Sequence, residues 1–133
     1  MALFDRQQQQ SLLYNYPAWA IFQAMCGAAQ VTSGFSLTLA NPQLLTIQIS
    51  KSMSFFTWGE TLFVQIFPLN ETQSNLQIMC RSKLGTEIAA SSQNRKNIEK
   101  ILAAMQEQLL LMFGPNPPVP QTPLQPPQTP YMG

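Results

Sequence analysis

The spacing of hydrophobic positions changes along the chain, and each change predicts an element. Pro17, Ala20, Ile21, Ala24, Met25 and Ala28 recur at helical spacing, and Trp19, Phe22 and Cys26 widen the apolar face. The helix is expected to begin near Tyr16, with Pro17 at the first helical position, where its missing N–H costs nothing. Gly27, Ala28 and Ala29 predict close packing against something flat, so this helix is expected to lie on a sheet. The period then drops to two. Phe35, Leu37 and Leu39 alternate with smaller or polar residues, and so do Leu45, Ile47 and Ile49, with Asn41-Pro42 as a turn between them. Ser52 to Gly59 breaks the pattern as a hairpin tip. Leu62, Val64 and Ile66 resume it up to Pro68, and Leu76, Ile78 and Cys80 follow after a turn over Asn70 to Asn75. Four strands joined by short links predict an antiparallel meander. Ile98, Leu102, Met105, Leu109 and Met112 then return to a helical period, with Ser91 or Ser92 as the expected cap and Gly114-Pro115 as the stop.

The fold class is therefore α+β: helix, four-stranded antiparallel sheet, helix, then a tail. Residues 1–11 form a polar, glutamine-rich lead-in, residues 12–113 the domain, and residues 114–133 a proline-rich tail that holds eight of the eleven prolines. Such a tail cannot build a packed core, and an extended polyproline-II or disordered state is expected of it.

Composition narrows the chemistry. Of 133 residues 45% are hydrophobic and only 10% charged, with a net charge of +1 and no histidine. That excludes a largely disordered chain, a His-dependent nucleophile or metal ligand, and an imidazole pH switch. The near-neutral balance lacks the electrostatic footprint of a nucleic-acid-binding domain, so no nucleic acid partner is expected. Leu12 to Val31 carries no charge, but Asn15, Pro17, Gln23 and Gln30 interrupt it, which fits a buried helix better than a membrane span. No secretory leader is evident at Met1 to Gln10. Cys26 and Cys80 lie 54 residues apart, in neither metal-ligand nor redox spacing. Two packed thiols in a reducing, cytoplasmic setting are expected, and a disulfide requires only that their Cα atoms come close.

Several residues are candidates for a partner-binding site. Phe55, Phe56 and Trp58 crowd the hairpin tip, either as an aromatic anchor or folded over the end of the core. Phe63, Phe67 and Met79 have the parity opposite to Leu62, Val64, Ile66 and Ile78. If both helices cover one face of the sheet, these three form an exposed patch of the kind that marks an interaction surface. If the helices divide between the faces, or a bulge turns one strand, they are core. Arg81, Lys83, Arg95, Lys96 and Lys100 cluster in sequence, but Glu87 and Glu99 dilute them to a solvated face. The carboxylates are scattered, Glu60 and Glu87 have no partner evident from spacing, and Cys80 points inward, so no catalytic constellation is legible. The tail has overlapping P-x-x-P spacings without flanking basic residues, and Tyr131 is its aromatic contact if it has one.

Thr57-Trp58-Gly59-Glu60, the connection Ser82-Lys83-Leu84-Gly85 and Asn94-Arg95-Lys96-Asn97-Ile98-Glu99-Lys100-Ile101 form a set of motifs. In these the chain resembles small bacterial and cyanobacterial domains of unassigned activity, over roughly residues 14 to 106. The resemblance implies a fold of helix, antiparallel strands and final helix, and carries no activity. It implies structural roles for Trp58 and for the asparagines, whose amides near a helix start can bond free backbone groups.

The expectation from sequence is a non-enzymatic protein-interaction module, such as a small accessory subunit covered by a protein partner. It calls for no cofactor and no metal. The alternatives are a peripheral membrane or lipid-binding protein, using Leu12 to Val31 or Leu109 to Phe113, and a small-ligand carrier or enzyme with a pocket between sheet and helices.

Overall fold

The structure, a computed structural model, describes residues 7–52, 59–82 and 87–115. The chain runs through strand β1 (Gln7–Tyr14), helix α1 (Ala18–Val31), strands β2 (Phe35–Asn41), β3 (Thr46–Lys51), β4 (Glu60–Pro68) and β5 (Ser74–Ser82), and helix α2 (Glu87–Phe113). The strands form one antiparallel sheet in the order β1-β5-β4-β3-β2. The α+β architecture and the meander from β2 to β5 are as the periodicity predicts, but the sheet has five strands rather than four. The fifth is β1, which runs through the glutamine tract and pairs with β5 from Gln7↔Arg81 to Tyr14↔Ser74. A run of glutamines has no apolar alternation to announce a strand. As an edge strand, β1 needs only Leu12 and Tyr14 to reach the core.

Both helices cover the same face of the sheet. α1 rests on β2, β3 and β4, α2 on β5 and β1, and the two helices pack against each other. Pro17 is the N-cap of α1 rather than its first helical residue. Its carbonyl accepts the Ala20 and Ile21 N–H groups at 3.0 and 3.2 Å. Gly27 does not meet the sheet, as its small neighbours suggested, but α2: a Cβ there would lie 2.9 Å from Gln108 Oε1.

α2 begins at Glu87, so Ser91 and Ser92 fall inside it instead of capping it. The stretch from Glu87 to Ala90 has strong helix formers and no breaker, which lets the helix start earlier. At its other end Gly114 takes φ 81° and donates its N–H to Leu110 O at 2.7 Å, the left-handed stop expected of a glycine.

Ile47, Ile49, Leu62, Val64, Ile66, Leu76, Ile78 and Cys80 fill the inner face, against Ile21 and Met25 of α1 and Ile98, Ile101, Met105 and Leu109 of α2. The space between sheet and helices is thus occupied by side chains. One strand departs from strict alternation. In β2, Leu37 opposes Ile49 while Leu39 opposes Gln48, leaving Thr38 as the extra residue of a β-bulge. The Thr38 hydroxyl donates to Gln48 O at 3.1 Å. The bulge turns Leu39 away from the face of Phe35 and Leu37, correcting the alternation read from sequence. Among the described residues no helix is long and apolar enough to cross a membrane.

Candidate functional site

The face of the sheet away from the helices carries a concave groove of about 430 Å³. The strand register builds its floor. Leu39, Gln48, Phe63, Met79 and Gln9 are successive neighbours across β2, β3, β4, β5 and β1, and Asn41, Thr46, Gln65 and Gln77 form the adjacent row. At about 4.8 Å per strand the first row is about 19 Å long. Phe63, Met79, Gln48 and Gln77 are half-buried, and among the described residues no side chain lining the groove is ionisable.

A stiff turn walls one end. Asn41 Oδ1 accepts the N–H groups of Gln43 and Leu44 at 3.0 and 3.1 Å. Gln65 Nε2 donates to Leu44 O at 2.9 Å, and the Ile66 N–H to Leu45 O at 3.0 Å. Leu45 has φ 56°, a left-handed conformation that costs a non-glycine residue about 1–2 kcal/mol. The bonds from β4 hold it there and set Leu44 at the groove's edge. In contrast to Gln65, the side-chain amides of Gln48 and Gln77 have no protein partner among the described residues.

A second polar group lies on the inner face, under α2. Glu60 is 2% exposed, and Asn97 Nδ2 donates to its Oε1 at 2.9 Å. The same amide nitrogen lies 3.9 Å from Cys80 Sγ, and the thiol donates to Asn94 Oδ1 at 3.3 Å. Burial pushes the Glu60 carboxyl above its ordinary range, although the Asn97 bond and the charge of Lys51, its neighbour across β3 and β4, pull the other way. Burial pushes the Cys80 thiol up to about 12, opposed by the Asn97 bond and reinforced by the Glu60 charge. Asn94 and Asn97 thus each bond a sheet side chain. Glu60 has the partner that spacing did not suggest. Cys80 is a buried thiol, and both cysteines are free.

Of the residues singled out from sequence, Phe63 and Met79 lie together in the groove. Phe67 is on the same face, 41% exposed, one row past Gln65 and outside the lining. Phe55, Phe56, Trp58 and Tyr131 lie outside the described residues. Arg95, Lys96 and Lys100 are exposed on α2. Sequence reasoning missed Leu39, because of the bulge, and the amides of Gln48 and Gln77, because a polar residue at an outward position reads as ordinary surface. Among the described residues, no three carboxylate or thiol side chains come together as a metal site would need.

No protein-family model and no curated protein sequence matches the chain. Solved structures match it in fold. The di-domain aromatase/cyclase BexL of the BE-7585A biosynthetic pathway superposes with a TM-score of 0.63 at 12% identity, over 82% of this chain and 48% of that one. A START superfamily protein from Mycobacterium smegmatis gives 0.60 at 8% identity, over 80% and 98% of the two chains. A norcoclaurine synthase from Thalictrum flavum, bound to a transition-state analogue, gives 0.59 at 6% identity, over 80% and 94%. The chain thus spans about half of the di-domain protein and nearly all of the other two. At such identities the likeness establishes the fold alone.

That fold overturns two expectations. The non-enzymatic interaction module and its accessory-subunit form rested largely on the lack of a legible catalytic constellation. The same architecture serves an aromatase/cyclase and a synthase, so that lack excludes neither an enzyme nor small-molecule binding. The alternative of a ligand carrier or enzyme is better supported, with one correction. Among the described residues the space between sheet and helices, where a pocket was expected, is filled by buried side chains, and the described groove lies on the opposite face.

Proposed function

We propose that the protein binds a small, uncharged, largely apolar ligand in the outer groove, as a carrier or as the binding half of an enzyme. The groove carries the reading: its mixture of apolar and amide side chains and its volume suit a small molecule, and its described lining offers nothing to neutralise a charge. The shared fold raises the prior for small-molecule binding and supplies no residue roles. A cytoplasmic setting belongs to the same proposal and rests on the two free thiols.

The test is a titration with the uncharged, environment-sensitive dye Nile red. Saturable binding to the full chain is expected, with loss on Phe63→Asp in a variant that still unfolds cooperatively, its melting temperature lowered by several degrees at most. Equal binding by that variant would remove the groove as the site. Catalysis is the second reading, favoured by the buried Glu60 carboxyl with its raised pKa. It requires substrate to reach the inner face, and Glu60→Gln would abolish turnover while leaving dye binding intact.

A further inference from the structure

We infer that the groove takes a flat, uncharged ring whose edge presents adjacent hydrogen-bond donors and acceptors, a ring of the lactam or imide type. This rests on the small-ligand reading above and names the chemistry of the same site.

The platform comes first. Phe63 and Met79 are direct neighbours across β4 and β5, both half-buried, and they offer a ring face and a thioether on one level. Both surfaces favour an aromatic guest. The rim comes second. Gln48 flanks Phe63 on β3, and Gln77 lies two residues from Met79 on β5, so carboxamides adjoin the platform from two directions. A carboxamide places a donor beside an acceptor, and a lactam edge presents the complementary pair. The same logic pairs glutamine with a heteroaromatic base edge elsewhere.

Competing guests fit less well. An acyl chain would cover the amides of Gln48 and Gln77 without offering them a partner, and each stranded group weakens binding. An ionised ligand would lose hydration against a lining that, among the described residues, has no ionisable side chain. Arg81 follows Met79 by two residues on the same strand, but it is exposed and outside the lining. A nucleic acid polymer meets the same objection, since a net charge of +1 gives its phosphates little to bind.

The experiment compares three probes on the full chain at neutral pH: lumichrome, an uncharged tricycle with an imide edge; acridine, which shares the three-ring footprint without that edge; and laurate. Lumichrome is expected to bind most tightly. Phe63→Ala should weaken lumichrome and acridine alike, by about tenfold or more. Gln48→Leu or Gln77→Leu should weaken lumichrome by about tenfold while leaving acridine unchanged. If either leucine variant self-associates, Gln48→Ala and Gln77→Ala provide the same comparison with less added apolar surface. Acridine or laurate binding as tightly as lumichrome, or lumichrome indifferent to the glutamine variants, would overturn the ring-edge inference while the ligand reading stands. If none of the three probes binds and Nile red does not bind either, the ligand reading itself fails.

Discussion

The two faces of the sheet are written in the same strands, one residue apart, yet they follow different rules. On the inner face every described apolar side chain from Ile47 to Ile78 is closed off by the helices, and the polar intruders Glu60 and Cys80 are bonded by Asn97 and Asn94. On the outer face apolar and amide side chains lie side by side, partly covered, and two of the amides have no protein partner among the described residues. Burial of a polar group is tolerated inside only when its hydrogen bonds are made. Open hydrogen-bonding capacity is therefore found where a ligand or water can complete it. The contrast separates what holds the molecule together from what is available for binding.

The sharpest way to break this comparison is to truncate neighbours. Leu62→Ala on the inner face is expected to cost about 2–5 kcal/mol of stability, whereas Phe63→Ala beside it should cost about 1 kcal/mol, read from urea denaturation midpoints. Comparable losses would mean that the outer face is core. The polar groups allow a similar pairing. Asn97→Ala removes the donor to Glu60 Oε1 and should cost about 1–3 kcal/mol, against about 0.5 kcal/mol or less for Gln77→Ala.

The pH dependence sharpens the inner side. Burial raises the Glu60 pKa in the folded state, so the native protein holds a proton that the unfolded chain releases. Its contribution to stability is complete below the unfolded value, near 4.3, and is lost as pH rises through the folded value. Glu60→Gln should flatten that fall, and the difference between wild-type and variant melting temperatures should widen from pH 4 towards neutrality. The smallest effect is chemical. With its pKa near 12 and its sulfur buried, Cys80 should resist iodoacetamide at pH 8 until the chain unfolds. Cys26, half-buried and raised less, should be labelled first, and mass spectrometry of a time course would order the two.

Much of this was readable from spacing, because local pairing and parity govern it. Hairpin-linked strands β2 to β5 follow alternation, and the stop at Gly114 follows from a glycine before a proline. The inner polar cluster is legible in the sequence too. Glu60 shares parity with Leu62, Val64 and Ile66, and Asn94 and Asn97 lie on the stripe of Ile98, Ile101 and Met105. Polar residues at core positions were the signal. Two features were out of reach for physical reasons. β1 joins the sheet across a separation of 74 residues at Gln7↔Arg81, with neither a turn nor an apolar pattern to announce it. The groove depends on register across five strands and on the bulge at Thr38, and alternation within a single strand reveals neither.

That bulge has a consequence for how such a groove can change over evolutionary time. β2 is an edge strand, paired on one side only, so an inserted residue disturbs a single ladder and leaves β3, β4 and β5 in register. Insertion and deletion at positions like Thr38 can therefore swing a side chain such as Leu39 into or out of the groove wall without altering any residue of the interior. Descendants of this chain could diverge in ligand preference by length changes at the rim while sharing one unaltered core.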